Sequence, residues 1–146
     1  MSNIVQKMCK EYKVQLLDKA VTPEEPLDPY YNGNSACCRG SNPLIILGRY
    51  QNPEFRLISF FHELGHIVAT ETNVIPQYKD LPYPHYEEAV AWRIGLRLAE
   101  KRDILFSKHA ISWAKEKLIS YFKDDCLEHT PLKFLETALN EAFAAR

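Results

Sequence analysis

Apolar and polar residues alternate with a helical period at both ends of the chain, and a short strand-like stretch with proline-rich connections lies between them. Residues 2–12 place Ile4, Val5, Met8, Cys9 and Tyr12 on one side of a predicted helix, with Ser2 available as its cap. A strand is expected around Val14 to Leu17. From Thr22 to Gly33, Pro23, Pro26, Pro29 and the pair Asn32-Gly33 predict a loop. Residues 35–40 and 43–50 then predict a strand pair turned at Asn42-Pro43, with the apolar run Leu44-Ile45-Ile46-Leu47 in its second arm.

Asn52-Pro53-Glu54 is a helix start: a capping side chain, a proline at the first helical position and an acid in the first turn. This helix should run to Ala69 or Thr70. Residues 71–85, with Pro76, Pro82 and Pro84, read as an irregular crossing segment. A second helix is expected from Tyr86 to Arg102, with Ala89, Trp92, Leu96 and Ala99 inward and Arg93, Arg97 and Lys101 outward. A third should run from Ser107 to Phe122 and bury Ile111, Ala114, Leu118 and Phe122. The last opens at Thr130-Pro131 and buries Leu135, Ala138, Leu139 and Ala142. Trp113 and Phe143 read as core aromatics. The pattern predicts one α+β domain over residues 1–146, a small antiparallel sheet packed on a central helix with further helices behind it.

Composition narrows the classes. The chain has 146 residues, 46% hydrophobic and 25% charged, enough for a core of its own. A formal net charge of −1 gives no electrostatic case for direct nucleic-acid binding. No apolar stretch is long enough to span a membrane, and Met1-Ser2-Asn3-Ile4-Val5-Gln6-Lys7 is too polar for a signal peptide. Cys9, Cys37, Cys38 and Cys126 form no C-x-x-C clip, so free thiols in a reducing cytoplasm are expected. Action of Cys37 or Cys38 on a bound metal is the minor alternative.

The central helix carries His62-Glu63-Leu64-Gly65-His66, an H-E-x-x-H motif. Residues four apart share a helix face, so His62 and His66 can hold one metal ion while Glu63 projects beside them as a general base toward water. Shuffling this composition would produce the motif roughly 0.015 times per chain. Around it lie Leu57, Ile58, Phe60, Phe61, Leu64, Ile67 and Val68, which makes the helix apolar nearly all round and therefore buried. Two buried imidazoles and a buried carboxylate are costly unless something satisfies them, and a metal would.

A catalytic zinc site needs a third protein ligand and an open position. A histidine following in H-E-x-x-H-x-x-G-x-x-H would fall at residue 72, which is Thr72, and Ala69 stands at the glycine position. That class is excluded. Glu88, 22 residues past His66 (88 − 66 = 22), opens the next helix, and Glu87 is its alternative. The small Ala91 would let this helix approach the first closely. Acids in a first helical turn also favour the helix dipole, the plain reading for at least one of the pair. With His62, His66 and Glu88 as ligands, zinc would polarise a carbonyl and Glu63 would take the proton of water. Candidates for an oxyanion or substrate donor are Tyr83, Tyr86 and His85, with Tyr78 and His109 behind them.

Phe60-Phe61-His62-Glu63-Leu64-Gly65-His66-Ile67, with a strand before it and an E-x-x-A-W helix after it, resembles the ImmA/IrrE family of bacterial and phage metallopeptidase domains, chiefly over residues 35–100. The resemblance implies a minimal zincin fold, a His/His/Glu zinc site, and a cytoplasmic role beside a helix-turn-helix repressor that is cleaved or inactivated. Val90 departs from it, since many relatives carry Asn or Asp there, and leaves the choice between Glu87 and Glu88 open. Two functions follow as expectations. One is a zinc-dependent endopeptidase acting on a protein partner, a repressor or regulator. The other is a non-cleaving zincin-fold module that sequesters a regulator or a host protein.

Overall fold

The computed structural model describes residues 2–19, 35–50, 52–71, 83–124 and 132–144. Helix α1 (Ser2–Tyr12) ends where Lys13 takes a left-handed conformation (φ 55°) and the Val14 N–H donates to Cys9 O at 2.8 Å. Closing the last turn in this way satisfies an orphan carbonyl and sends the chain straight into β1 (Gln15–Asp18). Val5, Met8 and Cys9 are buried, as their spacing predicts.

The sheet is mixed rather than antiparallel. β2 (Ala36–Cys38) pairs antiparallel with β3 (Leu44–Leu47), as the Asn42-Pro43 turn suggests, but β1 pairs parallel with β3 in the order β1-β3-β2. Parallel neighbours need a long connection. Residues 19–43 supply it, with β2 at the far side of the sheet. As the middle strand, β3 is apolar throughout, and Ile45 and Leu47 are fully buried.

Helix α2 (Pro53–Glu71) starts as predicted, with the Glu54 N–H donating to Asn52 Oδ1 at 2.8 Å. It runs between two cores. Phe60, Phe61, Leu64 and Ile67 pack with α1 and the sheet, whereas Ile58 joins the cluster formed with the later helices. Burying each such side chain contributes about 1.5–3 kcal/mol. An all-apolar helix is what a central position demands.

Helix α3 (Tyr83–Glu100) begins three residues earlier than the sequence suggests, so residues 83–85 belong to it and not to an irregular crossing. Pro84 is tolerated because first-turn N–H groups have no helical partner. The helix stops at Glu100, since Asp103 turns left-handed (φ 60°) and the Ile104 N–H donates to Ala99 O at 3.0 Å. Ala89, Trp92, Leu96 and Ala99 are buried as expected. Arg93 is not outward: it pairs with the buried Glu141 of α5 (Leu132–Phe143), which packs along that side of α3.

Helix α4 (Lys108–Asp124) is capped by Ser107, whose Oγ accepts from the Ala110 N–H at 3.1 Å. The Ser107 N–H in turn donates to Glu54 Oε2 at 2.8 Å, which ties the start of α4 to the first turn of α2. Phe55 and Trp113 stack across the same junction with centroids 4.6 Å apart. The result is an α+β fold. Among the described residues, no helix is long and apolar enough to cross a membrane.

Candidate metal centre

The two histidines lie one turn apart on α2, with ring centroids 4.7 Å apart. Both Nε2 atoms face one carboxylate on α3. Glu88 Oε1 is 2.8 Å from His62 Nε2, and Glu88 Oε2 is 3.1 Å from His66 Nε2. Glu87, the alternative, points elsewhere: it pairs with Arg39, just past β2. Neighbouring helix residues diverge by about 100°, so only one of two consecutive acids can face α2.

Two glycines bring the helices this close. A Cβ on Gly65 would overlap the Ala91 carbonyl and lie 3.0 Å from Gly95 N. A Cβ on Gly95 would overlap the Phe61 carbonyl and lie 3.1 Å from His62 N. The backbone of Ala91 therefore touches α2, as its small side chain suggests, but the matching role of Gly95 carried no recognisable signal in the sequence.

Trp92, one turn beyond Glu88, stacks on the His62 ring at 4.0 Å with 24° between planes. His62 is buried, and its Nδ1 finds no hydrogen-bond partner among the described residues. Packing against Trp92 thus holds the ring where a hydrogen bond from Nδ1 commonly would. Burial by itself would lower the His62 pKa, but the Glu88 carboxylate, reinforced by Glu63, outweighs it and raises the value. Burial pulls the Glu88 carboxyl upward, yet the charge and hydrogen bonds of His62 and His66 hold it well below the usual carboxylate range.

The donor set suits a divalent metal ion. Two imidazole nitrogens and one carboxylate oxygen lie within 4.8 Å of one another. His62, His66 and Glu88 could hold such an ion.

His62 and Glu88 line a cleft of about 320 Å³, as does Glu63. Glu63 is buried, and its carboxylate lies beside the thiol of Cys37 on β2. Burial, and then the nearby Glu63 charge, push that thiol up to about 12. Tyr50, which the sequence reading did not single out, lines the cleft from the end of the sheet. Its hydroxyl is 2.9 Å from Ser35 Oγ, which accepts from the Gly48 N–H at 3.0 Å. Burial raises the Tyr50 phenol against the hydrogen bonds of Ser35 and Ser59, with Glu63 adding to the rise. It stays a neutral donor.

The anticipated donors fare differently. Tyr86 is buried in the core of α3, α4 and α5, because two residues along a helix turn it about 200° away from Glu88. His109 is exposed and tilted onto Phe55 at 5.2 Å, away from the cleft. Tyr78 and the side chains of Tyr83 and His85 lie outside the described residues, as does most of the crossing segment expected as a cleft wall. Instead, α4 supplies a wall through Trp113, Lys117, Ser120 and Tyr121. Trp113 is thus a cleft residue as well as a core one, whereas Phe143 is buried.

No family model, curated protein or solved structure matches the chain.

Proposed function

We propose that this chain is a zinc-dependent endopeptidase acting on a protein partner. The observation that carries the reading is the convergence of His62, His66 and Glu88, two of which line one cleft together with Glu63. When bound there, zinc supplies Lewis-acid polarisation of a scissile carbonyl and acidifies water. Glu63 takes the proton of the attacking water and returns it to the leaving amine. Tyr50, replacing Tyr83, Tyr86 and His85 in this reading, offers a neutral hydroxyl beside Glu63. The edge of β2 next to Glu63 offers backbone groups to an extended substrate. That the partner is a helix-turn-helix repressor or other regulator, and the setting cytoplasmic, rests on the resemblance to ImmA/IrrE domains.

One observation favours a second reading, a zincin-fold module that sequesters its regulator or a host protein without cutting it. Cys37 of β2 lies beside Glu63, and a thiol next to the base competes with water for its carboxylate. A single comparison separates the two. Zinc-loaded protein is incubated with the repressor encoded beside it, and Glu63→Gln is tested in parallel. A peptidase loses about 100- to 10,000-fold in rate with Glu63→Gln. A binder keeps its function in Glu63→Gln and loses it in His62→Ala.

A further inference from the structure

Helix α4 turns one face into the cleft that holds His62, Glu63 and Glu88. Trp113, Lys117, Ser120 and Tyr121 follow the spacing of a single helical stripe. Trp113 is pinned there. It stacks on Phe55 at 4.6 Å and meets the edge of Tyr50 at 5.8 Å. One turn further, the Lys117 ammonium lies 5.2 Å from the Trp113 ring centroid.

A half-buried lysine in an aromatic-walled cleft normally finds a counter-ion. Lys117 forms no ion pair with any described residue. Glu88 is engaged by the two imidazoles and Glu87 by Arg39, and neither of them nor Glu63 forms an ion pair with Lys117. Among the described residues lining this cleft, Lys117 is the only lysine or arginine. The cleft therefore has acidic side chains at the metal-ligand end and a positive charge over an indole on the α4 side.

We propose that Lys117 and Trp113 form a subsite that binds a carboxylate of the substrate. The inference deepens the peptidase reading and rests on it for the orientation of the chain being cut. A glutamate side chain fits well, since its methylenes can lie along the indole while its carboxylate meets the ammonium. A free C-terminus presents the same group. Because the ammonium stands on the α4 wall and the metal ligands on α2 and α3, a carboxylate anchored there also sets which way the peptide lies.

The test measures binding, so that it does not depend on turnover. Zinc-loaded Glu63→Gln protein is titrated into fluorescently labelled decapeptides that place Glu, Gln or Lys at each position of an alanine-serine background. Each peptide is made with a free C-terminus and with a C-terminal amide. Carboxylate-bearing peptides should bind about tenfold more tightly than their amide counterparts, and the gap should shrink as salt is raised. Lys117→Gln should erase the preference and Lys117→Glu should reverse it toward Lys peptides. A loss from misfolding would not reverse the preference. Which arm carries the effect, Glu against Gln or acid against amide, identifies the source of the carboxylate. The inference is overturned if no carboxylate preference exists, or if it survives both Lys117 variants. Wild-type cleavage, read alongside, keeps the two ideas apart. Cleavage without the preference removes the subsite alone, whereas Lys117-dependent binding without cleavage removes the peptidase reading alone.

Discussion

Gly65 of α2 and Gly95 of α3 lie each against the backbone of the opposite helix, and this crossing brings Glu88 to the histidines. Alanine normally stabilises a helix interior by about 1 kcal/mol over glycine. Here the added methyl would meet a carbonyl that cannot yield unless a helix moves. Gly65→Ala and Gly95→Ala should each destabilise by about 1–3 kcal/mol or more in urea unfolding. Stabilisation by either would mean that the helices are not in backbone contact.

The two acids of α3 should separate cleanly. Native mass spectrometry should find one equivalent of zinc on wild type and none on Glu88→Gln. Glu87→Gln should keep it, because its partner is Arg39. Zinc retained by Glu88→Gln and lost by Glu87→Gln would reverse the assignment.

Trp92→Phe tests whether stacking positions His62. With His62 Nδ1 lacking a partner among the described residues, a smaller ring should loosen the imidazole. Zinc affinity should fall about tenfold, at the lower end of the effect of losing a ligand's orienting partner. Chelator competition measures it, and unchanged affinity would show that Trp92 only fills the core.

Thiol reactivity gives a pH signature. The thiolate is the reactive form, so a raised pKa slows alkylation at a given pH and postpones its plateau. Cys37 is pushed up to about 12 and Cys9 to about 11, each chiefly by burial. At pH 8, a pKa near 12 leaves roughly a thousandfold less thiolate than one near 9. Iodoacetamide should therefore modify the exposed Cys38 before Cys37 and Cys9 in the folded protein. The rates at Cys37 and Cys9 should still be climbing at pH 10, as located by fragment-ion sequencing. A plateau for Cys37 below pH 9 would contradict its burial beside Glu63.

Much of this molecule is local and so was legible in the chain. The cap at Asn52, the proline that follows it, and the apolar surround of His62 and His66 act within one or two helical turns. They sufficed to predict α2, its burial and the shared face of the two histidines. The same holds for the β2–β3 pair, whose turn is a short-range signal. Choices that depend on distant segments were not legible. Glu87 and Glu88 are equivalent as first-turn acids until the helix crossing selects one face. The parallel pairing of β1 with β3 links segments separated by residues 19–43. Tyr50, Trp113 and Lys117 carry no motif; Tyr50 reaches the site from the end of β3, and Trp113 and Lys117 reach it because Glu54 and Phe55 hold α4 against the start of α2. Hydrophobic periodicity and capping determine which elements form, since both act between near neighbours. Which carboxylate faces the histidines, and what walls their cleft, were decided by packing between elements far apart in the chain.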